Sequence, residues 1–171
     1  MKKGRKAPER RSLRVDVQTG VRTWAPRARD IATWAGTAIG RGAAGAELGV
    51  RVVGSAESRR LNARYRGRDK PTNVLSFPPA PLPGRESGTP APRGRQDGER
   101  PLGDLVICAQ VVRSEAREQG KPLQAHWAHL VVHGALHLIG YDHERAAQAK
   151  RMERREIAVL RRLGFANPYR I

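Results

Sequence analysis

Apolar residues recur along the chain at two spacings, and these spacings predict nine elements. Alternation with polar residues, or a short apolar run bounded by turn residues, predicts four strands, at 13–17, 46–53, 72–77 and 102–107. Apolar residues three and four apart predict five helices, at 26–39, after residue 55, at 109–119, from Pro122 onward and at 144–163. This order predicts an α+β fold in which a four-stranded mixed sheet is packed with about five helices.

The segments outside these elements suggest how the domain is organised. Residues 1–11 are basic with little to bury, so we expect a flexible basic arm. Residues 12–171 suffice for one hydrophobic core, and we expect a single domain. Residues 80–100 are rich in Pro, Gly and Arg, which predicts a mobile insertion between the third and fourth strands.

The amino-acid composition of the chain favours some classes of binding partner over others. The chain has 33 Lys and Arg against 16 Asp and Glu, and a net charge of +17 favours a polyanion such as nucleic acid. A genomic bias toward Arg, Ala, Gly and Pro is the alternative source of this charge. No apolar run reaches about 18 residues, the length of a membrane helix, and the first residues lack the apolar segment of a secretory signal. With only one cysteine, Cys108, we expect a cytoplasmic protein that does not contact membranes.

Three histidines within eleven residues indicate a metal site. His133 and His137 are four residues apart, so on a helix their side chains lie one above the other and can bind one ion. Gly140 can end that helix in a left-handed conformation, which lets His143 return toward the same face. Three neutral nitrogens leave one tetrahedral position open, the arrangement of a catalytic zinc. We therefore predict one Zn²⁺ per chain, bound by these three residues.

His129 offers a rival set of ligands, because it precedes His133 by one helical turn. About 12 Å of helical rise separates His129 from His137, whereas zinc ligands lie about 2.0–2.1 Å from the ion. We therefore expect His129 and His126 to contact the ligands or to lie at the surface.

The spacing of the three histidines also occurs in the metzincin proteases, where a Glu follows the first histidine and acts as the general base. Gly134 occupies that position here, so the proton acceptor of that mechanism is missing. A metalloprotease is consequently the less favoured interpretation.

Two stretches resemble a different family. Residues 133–143 read HGALHLIGYDH and match the HGxLHLxGYDH signature of the YbeY family, bacterial single-domain metal-dependent endoribonucleases of ribosomal RNA maturation. Residues 61–78 resemble the family's second signature, LNxxyRxxDxpTDVLSFP, and 102–107 resembles its lGDI segment. The resemblance spans roughly residues 50–164 and implies a zincin-like architecture.

The resemblance also assigns roles to individual residues. The family's functional arginine corresponds to Arg66, whose guanidinium can bind a phosphate through two parallel hydrogen bonds. Arg66 and His137 are thus the expected catalytic residues, and Ser76 is expected to orient water or substrate with Arg66. Asn73 stands where many relatives carry Asp, so this position supplies no carboxylate.

Two aspartates near these signatures have open roles. Asp104 could bond a histidine N–H or serve a turn or strand-edge role, and Asp142 could face the metal or cap the turn.

The function implied is a single-strand-specific endoribonuclease acting in late maturation of the 16S rRNA 3′ end, ribosome biogenesis and quality control. Expected partners are ribosomal RNA, the small ribosomal subunit, and possible ribosomal proteins or a ribosome-assembly GTPase. The alternatives are a non-catalytic zinc-containing assembly or RNA-binding factor and the metalloprotease.

Overall fold

The computed structural model describes residues 12–79 and 100–170. The predicted arm at 1–11 and residues 80–99 of the predicted insertion lie outside this part. Four strands are present in it: β1 (Arg14–Thr19), β2 (Ala46–Val53), β3 (Val74–Phe77) and β4 (Arg100–Cys108). The α-helices are α1 (Ala28–Ile39), α2 (Ser55–Arg66), α3 (Ala109–Glu118), α4 (Leu123–Leu138) and α5 (Ala146–Arg162), with a short 3₁₀ helix at Gly40–Ala43.

The four strands form one mixed sheet in the order β1-β2-β4-β3. β1 pairs parallel with β2, and β2 pairs parallel with β4, whereas β3 pairs antiparallel with β4. Helix α1 provides the crossover that joins β1 to its parallel neighbour β2. The predicted α+β fold with a mixed four-stranded sheet and five helices is therefore confirmed. β3 lies at an edge of the sheet, and this position exposes one of its sides to the cleft described below.

Successive side chains of each strand point to opposite faces of the sheet, and helices cover one face and part of the other. On one face, Leu48, Val50 and Leu105 pack with α1, α4 and α5 in the main core, where Trp127 is fully buried. On the other face, Val106 belongs to a smaller cluster with side chains from α2 and α3. Among the helices of the described residues, none has the length and apolar character needed to cross a membrane.

Two predicted helix starts are wrong by two residues. Pro26 lies outside α1, because the carbonyl of Arg27 is the first to accept helical hydrogen bonds, from the N–H groups of Asp30 and Ile31. The last helix begins at Ala146 instead of residue 144. The reason is that the carboxylate of Asp142 accepts bonds from the two backbone N–H groups that follow it, which keeps them out of the helix.

Gly103 is required where β4 departs from regular pairing. Its φ is +122°, beside the register shift between β2 and β4, and a Cβ there would overlap the carbonyl oxygen of Phe77. We expect Gly103→Ala to lower the free energy of unfolding by about 2–4 kcal/mol, through backbone strain and steric overlap. Urea denaturation measures this change. Gly42→Ala is the control, because the nearest atom to its added Cβ is at an ordinary 3.6 Å; equal destabilisation by both variants would contradict the prediction.

Candidate metal centre

Helix α4 belongs to the core along most of its length and carries two histidines toward its C-terminal end. His133 and His137 lie one turn apart and are half-buried. After Leu138 the backbone N–H of Gly140 donates to the carbonyl of His137, and that of Tyr141 donates to the carbonyl of Leu136. This is the Schellman pattern, with Gly140 at a φ of +99°. The helix therefore ends where the sequence predicted, and the chain turns back.

The turn brings His143 to the pair on α4. Ring centroids of His143 lie 5.6 Å from His133 and 4.9 Å from His137, and one ligand atom from each of the three residues lies within 4.8 Å of the others. The Nε2 atoms of His133 and His137 are 3.1 Å apart, a separation compatible with two nitrogens each about 2.0–2.1 Å from one tetrahedral zinc. The donor set and its spacing thus fit a divalent metal. We call this group the three-histidine cluster.

The electrostatics of the cluster favour the metal-binding form of imidazole. Desolvation lowers the pKa of His137, and the neighbouring His133 and His143 lower it further. A lowered pKa leaves His137 neutral at pH 7, with a lone pair available to an ion.

A buried carboxylate orients His133 from behind. Glu156 on α5 is 1% exposed, and its Oε1 lies 2.5 Å from Nδ1 of His133. Its Oε2 accepts a hydrogen bond from the hydroxyl of Tyr169 and lies 3.7 Å from Nε2 of His129. Burial alone raises the pKa of Glu156, but the nearby His129 and the hydrogen-bonded His133 and Tyr169 outweigh it and lower the pKa to about 2. An ionised carboxylate at this position keeps the proton of His133 on Nδ1 and leaves Nε2 to face the cluster.

His129, His133 and Glu156 form a second group with close ligand atoms, but a metal does not fit there as well. The 2.5 Å between Nδ1 of His133 and the Glu156 carboxylate is a hydrogen-bond distance, too short for two separate ligands of one ion. His129 instead bonds Tyr169, at 3.3 Å. His126 lies further away, 2.8 Å from the carboxylate of Glu115.

Sequence reasoning missed Glu156 and Tyr169, although one signal was available for Glu156. On α5 it shares a helical stripe with Met152 and Leu160, both buried. A carboxylate in the apolar stripe of a helix is costly unless it is paired, and its presence therefore indicates a buried partner.

Arg66 and Ser76 lie beside the three-histidine cluster. Together with the three histidines they line a cleft of about 980 Å³. Arg66 is the last residue of α2, and its Nη2 donates to the carbonyl of Ser76 at 3.1 Å. The Ser76 hydroxyl donates to the carbonyl of Gly134 at 3.3 Å, which connects the edge strand β3 to α4.

Gly134 allows this close approach of α4 to the sheet. A Cβ at this position would lie 2.8 Å from Cδ2 of Leu105, in the core. The position that carries the general base in metzincins therefore faces the sheet here.

The two aspartates with open roles are now placed. Asp142 caps the turn, because its Oδ1 accepts from the backbone N–H of His143 at 2.6 Å. Asp104 lies on β4 against Gly49, on the sheet face opposite α4, and bonds no histidine within the described residues. The suggestion that Asp104 orients a histidine is therefore wrong, because strand alternation directs its side chain to the other face. Burial raises the pKa of this carboxyl group.

Comparisons with known proteins agree with the two signatures. The family model described as endoribonuclease YbeY matches residues 15–164. A protein of Halorhodospira halophila named endoribonuclease YbeY is 54% identical over 145 residues, which cover 85% of this chain and 88% of the relative. A protein of the same name from Alkalilimnicola ehrlichii is 60% identical over 126 residues, covering 74% of this chain and 70% of the relative.

A similar fold is found in a solution structure of a Thermotoga maritima protein. Its TM-score is 0.52 at 20% identity, with 93% of this chain and 99% of that chain covered, and it supports the fold alone. The family model, by contrast, covers most of the chain, and two relatives exceed half identity. The chain belongs to the YbeY endoribonuclease family.

Proposed function

We propose that the chain is a zinc-dependent, single-strand-specific endoribonuclease that acts on ribosomal RNA, in late maturation of the 16S rRNA 3′ end, ribosome biogenesis and quality control. The observation that carries this proposal is the convergence of three imidazoles beside an arginine in one cleft. A zincin-like arrangement, with the metal ligands on a helix packed against a mixed sheet, is part of the proposal.

His133, His137 and His143 are the residues that hold the metal in this proposal. When bound, a zinc ion supplies Lewis acidity toward a phosphoryl oxygen and lowers the pKa of water. All three ligands are neutral imidazoles, so the ligand atoms themselves do not offset the charge of the ion at a site for an anionic substrate. Glu156 keeps His133 in the tautomer that such binding needs.

Arg66 binds and positions the phosphate. One of its donors is bonded to the Ser76 carbonyl, which anchors the guanidinium at the rim of the cleft, and its remaining N–H groups are available to phosphate oxygens. The Ser76 hydroxyl donates its proton to the Gly134 carbonyl, so toward substrate or water it acts as an acceptor.

The charge of the protein supports RNA as the substrate. A net charge of +17 attracts the phosphate backbone over a long range, and Arg66 and Arg68 continue this charge into the cleft. The small ribosomal subunit in the cytoplasm is the proposed setting, with ribosomal proteins or an assembly GTPase as partners.

Three outcomes of one assay distinguish the candidate functions. Zinc-loaded protein is incubated with single-stranded ribosomal RNA fragments, the same fragments in duplex form, and casein. Cleavage of single strands alone supports the proposal. RNA binding without cleavage would instead indicate an assembly factor, and cleavage of casein alone would indicate a protease.

The role of Arg66 is tested by Arg66→Ala. We expect kcat/KM for RNA cleavage to fall about 100-fold, because one donor aimed at developing charge contributes roughly 10²–10³ in rate. Zinc content should not change, since Arg66 lies outside the three-histidine cluster. Arg60→Ala is the matched control, an exposed arginine on the same helix that does not line the cleft. Equal activities of the two variants would exclude the assigned role.

A further inference from the structure

The cleft continues past the three-histidine cluster to a second group of polar side chains. Asn73, Glu115 and His126 line it there, and we call them the Glu115 end of the cleft. Ring centroids are 6.4 Å apart from His126 to His129 and 6.3 Å apart from His129 to His133. These two steps along α4 connect the Glu115 end to the three-histidine cluster within one cleft, so a single extended substrate can contact both.

The carboxylate of Glu115 is held in one orientation from two sides. Nδ2 of Asn73 donates to it, at 3.2 and 3.1 Å from the two oxygens, and Nε2 of His126 lies 2.8 Å from Oε2. The Asn73 amide is itself fixed, because its Oδ1 accepts from the backbone N–H of Val74 at 2.6 Å. His126 is buried, at 5% exposed, and cannot move aside easily. The position of the carboxylate is therefore preorganised.

Glu115 is ionised and reachable from the cleft. Desolvation raises the pKa of its carboxyl group, but the hydrogen bonds from His126 and Asn73 outweigh this effect and lower the pKa. The side chain of Glu115 is 28% exposed. A carboxylate has about four lone-pair positions, and the donors on Asn73 and His126 leave at least one of them available.

An ionised carboxylate does not suit a phosphate-binding wall, because like charges repel. Arg66, Arg68 and Lys121 line the same cleft and are the groups suited to phosphates. The complementary partner of a fixed carboxylate is a hydrogen-bond donor, and a nucleotide offers neutral donors on its sugar and its base.

We propose that Glu115 is a substrate-binding residue that accepts a hydrogen bond from a neutral donor of the bound nucleotide, the ribose 2′-hydroxyl or a base amino group. The proposal rests on the RNA-cleaving function proposed above. A contact with the 2′-hydroxyl would distinguish RNA from DNA, whereas a contact with an amino group would distinguish adenine, cytosine and guanine from uracil.

Binding without metal tests this role separately from cleavage. Fluorescence anisotropy, measured in the presence of a chelator, gives the Kd values of three labelled oligonucleotides. These are an oligoadenosine, its 2′-deoxy form, and the same oligonucleotide made with purine riboside, which lacks the amino group. For the unmodified protein we expect one of the two analogues to bind about tenfold more weakly than oligoadenosine, the loss expected for one hydrogen bond to a charged group. The analogue that loses affinity identifies the donor.

Variants of Glu115 separate substrate contact from a purely structural role. The measured quantity is the Kd of the weaker-binding analogue divided by the Kd of oligoadenosine, expected to be about ten for the unmodified protein. In Glu115→Ala this ratio should fall to about one. In Glu115→Gln, which keeps the shape of the side chain, it should fall to about threefold, because a neutral acceptor is roughly half as strong. Glu118→Gln, an exposed carboxylate of the same helix, should keep the wild-type ratio.

Two results would overturn the proposal. The first is a ratio of Kd values, analogue to oligoadenosine, that stays at the wild-type value in both Glu115 variants, even if all binding is uniformly weaker. The second is equal affinity of the unmodified protein for all three oligonucleotides. If Glu115→Ala does not fold, the Glu115→Gln ratio decides the question alone. Failure of the zinc-loaded protein to cleave RNA would count against the proposed function. The Kd ratios do not depend on cleavage, so they would still test the contact with Glu115.

Discussion

The His143→Ala protein is expected to fold normally and to lose both its zinc and its RNA cleavage. The side chain of His143 is 59% exposed, on the turn after α4, so its removal leaves no cavity in the core. In the proposed metal site it supplies one of the three protein ligands, and changes to residues that merely support a ligand already cost roughly 10–100-fold in metal affinity. We therefore expect zinc affinity and kcat/KM each to fall by more than about 100-fold. Isothermal titration of the metal-free protein and an RNA-cleavage assay measure the two losses.

Gln148→Ala is the control for this experiment. Gln148 is exposed in the first turn of α5, so its replacement should leave metal content, cleavage and melting temperature unchanged. In the absence of metal, His143→Ala and the control should have the same melting temperature. Full zinc occupancy in His143→Ala would show that the three-histidine cluster is not the metal site.

Replacement of Glu156 is expected to affect both stability and metal affinity. Glu156→Ala leaves a cavity and deprives His133 and Tyr169 of their buried acceptor, so we expect the free energy of unfolding to fall by about 2–4 kcal/mol. Glu156→Gln keeps the shape but no longer fixes the tautomer of His133, so zinc affinity should fall about 10–100-fold. Urea denaturation and metal titration measure these effects. Glu153→Gln, an exposed position on α5, is the control, and wild-type affinity in Glu156→Gln would refute the orienting role.

The lowered pKa of Glu156 also predicts a dependence of stability on pH. Its pKa is about 2 in the folded protein against an ordinary 4.5, so the unfolded chain binds the proton more readily. The stabilisation is therefore fully present above about pH 4.5 and is lost as the pH falls through 4.5 toward 2. In the metal-free protein this loss should be smaller for Glu156→Gln than for the wild type, as acid-unfolding curves would show.

The sequence predicted the features that depend on short-range spacing. The strands and helices follow from local periodicity, and the approach of His143 to His133 follows from the helix stop at Gly140. The two signatures identified the family and placed Arg66 beside the cluster, since α2 ends next to the edge strand β3.

Features that depend on long-range packing were not predicted. Glu156 meets His133 because α5 packs on α4, and Glu115 meets Asn73 across 42 positions of sequence. Spacing along the chain carries no information about such pairs. The erroneous role for Asp104 has the same origin, because the side of the sheet that an aspartate faces depends on the register of its strand.

Helix α4 combines the largest fully buried side chain, Trp127, with two members of the three-histidine cluster, His133 and His137. Each residue turns an α-helix by about 100°, so the angle between its core side and its ligand side is set by the number of residues from 127 to 133. One residue added to or removed from that interval would rotate the imidazoles away from the cleft whenever the tryptophan stays buried. Hydrophobic burial of Trp127 thus sets the direction in which the histidines point. A change in the number of residues between them would cost either the burial of the tryptophan or the position of the histidines in the cleft.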